Sequence, residues 1–529
     1  MKLRKLLAIV LAGAMAVTML AACGGGDEGA AQPAAQEEAA GAEEATDAGE
    51  EATWDEVTDI CVYLLNVGNM SEEGQQRVED AMNAITEKTA GVHADINYLT
   101  IGDAVTQVGL MIASNADFDL MGLGFGPASY SMLMANKQLL DITDYMEEDG
   151  QDILNTLGDY IKVNTLDGRI YGIPCFRNFA MGGYLVMRTD VLEQLGLVEE
   201  AEGLTSWSAA DALFEKVYDA TGMAIFGDSK KAISATVNTS IIVPGLVDFD
   251  DVITYDMLND SLYLIYAGSE SDELTARPLL DTYRKQQDMV REWYQKGWIY
   301  KDSEINGEDS GDTLQSNNVV FAQFTPSEYG IEAMKEQAMN CDLTVLDVVQ
   351  VPVDSYGVNH FGMAVPVTCD EPEAVVRWVN ELFKSEELMN LVTWGIEGED
   401  YVFMDDGRAT FPEGKDFGSV GYHNQDFTIG NHFLIAPWDS QDADFREQEL
   451  KVLQESPMSP YFGFQADTNE LSNTISQLTV VTDKYTPGIY CGNYTDEYYE
   501  EFVNALKSAG IDDYIAAYQE QLNAWKAAN

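Results

Sequence analysis

Residues 60–66 read ICVYLLN, a run rich in β-branched and aromatic side chains, and Asn66-Val67-Gly68-Asn69 closes it with turn formers. From Ser71 the period changes. Val78, Ala81, Met82 and Ile85 recur at helical spacing, and Gly91 stops the helix they define. Val92 to Ile101 then alternates as a strand, and Val105, Val108 and Ile112 mark a second helix. Phe118 to Met121 gives a third strand before the glycine-rich turn Gly122-Leu123-Gly124-Phe125-Gly126. Strand-helix-strand-helix-strand predicts a parallel α/β sheet. In such sheets ligands sit outside the carboxyl ends of the strands, so the loops after Asn66 and Gly122 are expected on the functional edge.

Further along, 348–353 and 360–367 read as strands, helices are expected over 372–383 and from about 386, and aromatic residues cluster between Tyr255 and Tyr300. Two amphipathic helices close the chain. One spans about 495–508, with Phe502 and Leu506 on one face and Gly510 as its stop. The other spans about 512–526, with Tyr514, Tyr518, Leu522 and Trp525. A length of 529 residues exceeds what one core organises and suits two lobes.

Before residue 54 the chain has another character. Lys2, Arg4 and Lys5 precede an unbroken run of apolar and small residues from Leu6 to Ala22, which ends in Leu20-Ala21-Ala22-Cys23. A basic flank, a short apolar run and small residues before a cut describe an export signal over 1–22. The final quartet resembles the bacterial lipobox, which implies that Cys23 is lipidated by a palmitate-type acyl anchor. Residues 23–53 are then expected to form an acidic, low-complexity tether without a basic or aromatic residue. Two acyl chains suffice for stable anchoring where one does not. The expected location is the outer face of the cell membrane in a Gram-positive-type envelope.

With 90 acidic residues against 29 basic ones, the surface repels nucleic acid and anionic headgroups, so neither is expected as a partner. Excluding Cys23, five cysteines remain and none stands at C-x-x-C spacing. Free thiols are expected, with a Cys341–Cys369 bridge as the alternative.

Several stretches resemble the family 1 extracellular solute-binding proteins of carbohydrate ABC importers. They are Asp167-Gly168-Arg169-Ile170-Tyr171-Gly172-Ile173-Pro174, Ala116-Asp117-Phe118-Asp119-Leu120 and the run from Leu139 to Tyr145. Trp394-Gly395-Ile396-Glu397-Gly398-Glu399-Asp400-Tyr401 is similar to the Y-G-I-E-G-x-x-Y signature of a lipoprotein subgroup with an extra carboxyl-terminal region. Gly430-Asn431-His432-Phe433-Leu434 and the closing helices are similar to that subgroup as well. Trp394 stands where tyrosine is common and His432 where glutamine is common.

The resemblance implies an α/β, two-lobed, periplasmic-binding-protein-like (type II) fold with an interlobe cleft and a helical carboxyl terminus. Lobe one is expected over 54–175 plus about 325–385, and lobe two over 176–324 plus about 386–529. It implies a monomer that delivers a carbohydrate, an oligosaccharide by preference, to the transmembrane subunits of an ABC permease. The alternatives are a secreted glycan-active enzyme and a binder of peptide or polyamine.

Sugar recognition needs aromatic faces for C–H stacking and polar groups that match buried hydroxyls, since each unmatched one costs roughly 1–3 kcal/mol. The candidates are Trp394, Tyr401 and Trp438 from the later loops, Phe125 and Tyr130 after an early strand, and Phe176 beside Arg177. Arg177 is a candidate bidentate partner for a hydroxyl pair or carboxylate. Glu397 lies in the signature turn and Asn66 in the first loop. No H-E-x-x-H, G-x-S-x-G or Walker A run is present, and the four histidines lack metal-ligand spacing. The run from Asp302 to Gly307 opens like a calcium loop but has Thr313 in the twelfth position. No catalytic residue, cofactor or metal is therefore expected.

Overall fold

The computed structural model describes residues 54, 56–124, 129–228, 255, 256, 258, 260, 262, 264–268, 271–305, 310–350 and 352–528. The export signal, Cys23, the tether over 23–53, Phe125, and Asn306 and Gly307 of the calcium-like run lie outside them.

Two sheets organise the body. The strands that build them are β1 (Thr58–Asn66), β2 (Val92–Thr100), β3 (Leu120–Leu123), β4 (Ile173–Pro174), β5 (Gly182–Arg188), β6 (Ala322–Ser327), β7 (Leu343–Gln350) and β8 (Gly362–Ala364). The first sheet has the order β2-β1-β3-β8-β4. β1 runs parallel to β2, with Thr58 opposite Val92, and parallel to β3, with Val62 opposite Leu120. β8 is antiparallel to both neighbours, so Gly362 faces Leu123 on one side and Pro174 on the other. The expected parallel sheet is thus a mixed one with a reversed strand inserted next to the edge.

Helix α1 (Glu72–Thr89) forms where the sequence announces it. The Ser71 hydroxyl accepts from the Gly74 N–H at 3.0 Å, Glu72 and Glu73 occupy the first turn, and Lys88 the last. Its buried Val78 and Met82 pack on Ile60, Val62 and Leu64 of β1. The other face of β1, with Leu65, packs against Val108 and Ile112 of α2 (Ile101–Ala113). Both faces of the sheet are therefore buried, as an α/β arrangement requires.

The second sheet is antiparallel, in the order β6-β5-β7, with Ala322 opposite Met187 and Leu343 opposite Arg188. Leu185 and Met187 pack against Trp207 and Phe214 of α3 (Trp207–Thr221) and Trp293 of α4 (Asp281–Gln295). A third core joins Tyr283 of α4 to α8 (Ser472–Tyr490), α9 (Asp496–Ser508) and α10 (Ile511–Ala528), through Ile489, Phe502, Tyr514 and Tyr518. The buried Asp260 carboxylate knots it together, accepting from the Leu262, Leu264 and Ile265 N–H groups and the Tyr514 hydroxyl.

The partition differs from expectation in two places. β7 pairs with β5, so 343–350 belongs to the second sheet and not with 325–385 in the first lobe. Conversely α6 (Glu386–Trp394), together with Tyr422, Trp438 and Leu453, packs into the core of the first sheet alongside α5 (Pro372–Glu381). Pairing partners are long-range, and apolar runs such as Val345-Leu346 carry no mark of which sheet receives them. Segments 175–181 and 352–361 connect the sheets. A third segment runs beside the latter, where the Val353 N–H donates to Pro457 O (2.8 Å) and the Ser459 N–H to Val353 O (2.8 Å). Cys61, Cys175, Cys341, Cys369 and Cys491 are all free thiols, without the alternative bridge.

Candidate functional site at the carboxyl edge of the first sheet

Strand direction decides what gathers at this edge. β1 delivers Asn66 and β3 delivers Leu123 and Gly124. β4 continues into Cys175, Phe176 and Arg177. Because β8 is reversed, its start and not its end lies here, which brings in His360 and Phe361. The Cys175 N–H donates to Phe361 O (3.2 Å).

A loop from the later chain lies over the end of β1. Asn424 is buried and clamps it, its Oδ1 accepting from the Val67 N–H (3.1 Å) and its Nδ2 donating to Leu65 O (3.1 Å). Only glycine allows this approach at residue 68, where a Cβ would lie 1.9 Å from the His423 carbonyl oxygen. The loop presents Asp426 and Phe427.

The result is a run of rings: Tyr356 to His360 at 4.9 Å between centroids, His360 to Phe361 at 5.6 Å and nearly parallel, Phe361 to Phe427 at 4.9 Å. Tyr356 is 41% exposed, and His360 and Phe427 are half-buried. Burial, helped by the nearby Arg177 charge, lowers the His360 pKa to about 4, so the imidazole is neutral at ordinary pH. A neutral imidazole both donates and accepts a hydrogen bond, which suits a hydroxyl.

Beside the rings lies a buried polar network. Arg177 ion-pairs with Glu328, which follows β6, and donates to Asn178 O (3.1 Å) and Gly357 O (3.0 Å). Arg446, on α7 (Phe445–Glu455), holds Asp426 and Glu449, the latter at 2.8 Å, and donates to Ile435 O (3.2 Å). His432 Nε2 lies 2.8 Å from Glu449. Burial works against the charge of Asp426, but Arg446 and His432 outweigh it and hold the carboxyl down to about 2. Burial raises Glu328 against the pull of Arg177 and His432. Asp354 sits on the connecting segment, where its carboxylate accepts from the Gly357 N–H (2.8 Å). Burial and then the charge of Asp256 push it up to about 7.

The residues expected to bind ligand are placed as follows. Asn66 is at the edge, where its Oδ1 accepts from the Gly68 N–H (3.0 Å) and shapes the turn. Arg177 is at the edge too, but its guanidinium is engaged by Glu328. Phe176 is buried among Phe179 and Phe433, and Tyr130 is buried in the core on the α2 side. Trp394 and Trp438 do come together, at 4.8 Å, but as core: Trp394 is 5% exposed, stacks on His423 at 4.8 Å, and donates from Nε1 to Ala436 O (3.2 Å). Tyr401 is also buried. These three rings are corrected from ligand platform to scaffold.

Glu397 is exposed in a turn whose shape depends on a neighbour. Asp400 is fully buried and accepts from the Ile396 (3.0 Å), Gly421 (3.1 Å) and Tyr422 (3.1 Å) N–H groups and from Arg77 (3.3 Å). Gly395, at φ +94°, leaves room for that carboxylate, since a Cβ there would lie 2.7 Å from its Oδ2. The stretch 394–401 is a structural knot. Tyr356, His360, Phe361 and Phe427 were not singled out in the sequence. The signal that finds them is that a reversed strand brings its start to the carboxyl edge.

The fold and this edge define a class: the chain has the two-lobed fold of extracytoplasmic solute-binding proteins. The N-glycan transport solute binding protein NgtS of Streptococcus pneumoniae superposes with a TM-score of 0.74 at 18% identity, over 88% of this chain and 98% of that one. A human-milk-oligosaccharide-binding, ABC-transporter-associated solute binding protein of Bifidobacterium longum infantis gives 0.62 at 14% identity, over 89% and 99%. In sequence, a carbohydrate ABC transporter substrate-binding protein of S. pneumoniae serotype 4 is 21% identical over 467 residues, which are 87% of this chain and 89% of that protein. Residues 460–527, within the third core, match a domain of unknown function (DUF3502). Among the described residues no helix is long and apolar enough to cross a membrane.

Proposed function

We propose that this protein captures an oligosaccharide between its two sheets and hands it to the permease of an ABC importer. The observation that carries the reading is the run Tyr356–His360–Phe361–Phe427 beside Asp426 and Glu328, in which Tyr356, His360 and Phe427 are partly exposed and the buried Phe361 backs them, set where this fold receives ligands. Apolar ring faces serve sugar C–H faces, while carboxylates, amides and a neutral imidazole match hydroxyls. The relatives' names support the ligand class: NgtS has been solved with Man1GlcNAc and with Man5GlcNAc. The protein acts by binding and release, without turnover, as a monomer of the lipoprotein subgroup held outside the cell by acylated Cys23. Its segments 175–181, 352–361 and 456–460 form the hinge.

The test is calorimetric titration of the purified mature chain with Man5GlcNAc and a panel of neutral glycans. The expected result is saturable binding with the glycan recovered intact. Phe361→Ala and Phe427→Ala should each weaken it at least tenfold in a folded protein. Product release at catalytic rates, or unchanged affinity in both variants, would overturn the reading. Mass spectrometry of the membrane fraction checks the acyl group on Cys23.

A further inference from the structure

The charge inventory of this edge goes further than its shape. The described segments that meet there are 66–71, 175–181, 327–330, 352–361 and 424–436. They contain a single Lys or Arg, which is Arg177. Its two terminal nitrogens are engaged by Glu328 and by the Asn178 and Gly357 carbonyls, which leaves only the buried Nε without a partner. Arg446 reaches the edge from α7, and it too is spent, on Asp426, Glu449 and Ile435 O. Against the two guanidiniums stand the carboxyls of Glu328, Asp354, Asp426 and Glu449, with Asp256 close to Asp354.

Recognition of a sugar carboxylate or sulfate calls for a donor with charge to spare, ideally the bidentate fork of an arginine. Both guanidiniums here are already ion-paired with the protein's own carboxylates, Arg446 with two and Arg177 with one. A bound anion would sit beside the ionised Asp426, inside a body of formal net charge −61. Hydroxyls face no such penalty, because carboxylates accept hydrogen bonds from them.

We infer that the site selects uncharged glycans and rejects their uronate, sialylated or sulfated counterparts. The inference rests on the oligosaccharide reading and narrows it.

The experiment compares matched ligands on the wild-type mature chain by calorimetry. The neutral probes are Man5GlcNAc, maltopentaose and lacto-N-tetraose. Each one that binds is re-tested after oxidation of its primary hydroxyls to uronates, and again after methyl esterification of those uronates. The acid form should bind at least about thirtyfold more weakly than the neutral parent, and the ester should recover most of the loss. Glu328→Gln, which frees Arg177, should narrow the acid-to-neutral gap at least threefold. Equal or tighter binding of the acid form overturns the inference. So does an ester as weak as the acid, which would assign the loss to the missing hydroxyl and not to charge. Binding by none of the glycans, neutral or acidic, overturns the oligosaccharide reading itself and this inference with it.

Discussion

Replacing Trp394 by alanine separates scaffold from site. The indole is 5% exposed, lies 4.8 Å from both the His423 and Trp438 rings, and donates to Ala436 O at 3.2 Å. Removing a large buried aromatic costs about 3–5 kcal/mol through lost transfer energy and the cavity left behind. The unpaired Ala436 carbonyl adds about 1 kcal/mol. A loss of about 4–6 kcal/mol is expected, and Trp394→Phe, which keeps most of the volume, should lose about half of that. With a urea slope of about 3 kcal/mol/M, the alanine variant's midpoint should fall by more than about 1 M. Far-UV circular dichroism through a urea series reads that shift, and titration with Man5GlcNAc at low temperature reads the affinity of the folded fraction. The affinity should change less than threefold. A folded variant with an unchanged midpoint and a tenfold loss of affinity would refute the reasoning and put Trp394 in contact with sugar.

Asp400→Asn keeps the shape but turns one acceptor oxygen into a donor facing N–H groups, so it should cost about 2–3 kcal/mol. A urea midpoint equal to wild type would show that the signature turn does not depend on the carboxylate. For Asp354 the sign runs the other way from the usual acid. Its folded pKa is raised from 3.8 to about 7, so the native state holds a proton that the unfolded chain has released, and stability declines as pH rises through that window. Asp354→Asn keeps an oxygen for the Gly357 N–H and should raise the melting temperature at pH 8 while leaving it nearly unchanged at pH 4. A pH-independent difference between the two proteins would count against the buried-acid assignment.

The first sheet was legible because its signals are local. Residues 60–66 are rich in β formers, the period changes at Ser71, and Val78, Met82 and Ile85 repeat at helical spacing, all within a few turns of chain. The closing helices were legible for the same reason, and the structure places them at Asp496–Ser508 and Ile511–Ala528. What failed was whatever depends on distant partners. Nothing in 343–350 says that β5 is its neighbour, and nothing in Trp394 or Trp438 distinguishes a ring waiting for sugar from one covered by His423 and Phe411. The residues at the candidate site come from a connecting segment with a single helical turn (Ser355–Val358) and from a coil, both too short for periodicity to draw notice. Arg177 stood out in the sequence as a candidate ligand partner, but the carboxylate it pairs with, Glu328, lies 151 positions away.

The position of β8 has a consequence for how the molecule comes into being. Its three residues fill the slot between β3 and β4, yet they follow β4 by well over a hundred positions in the chain. A nascent chain that has emerged only as far as β7 carries a gap in its central layer, with β3 exposing an unpaired backbone rim. Such a rim invites pairing with another copy. Maturation of the first half must therefore wait for late-arriving residues, which favours slow, all-at-once closure over stepwise assembly from the amino terminus.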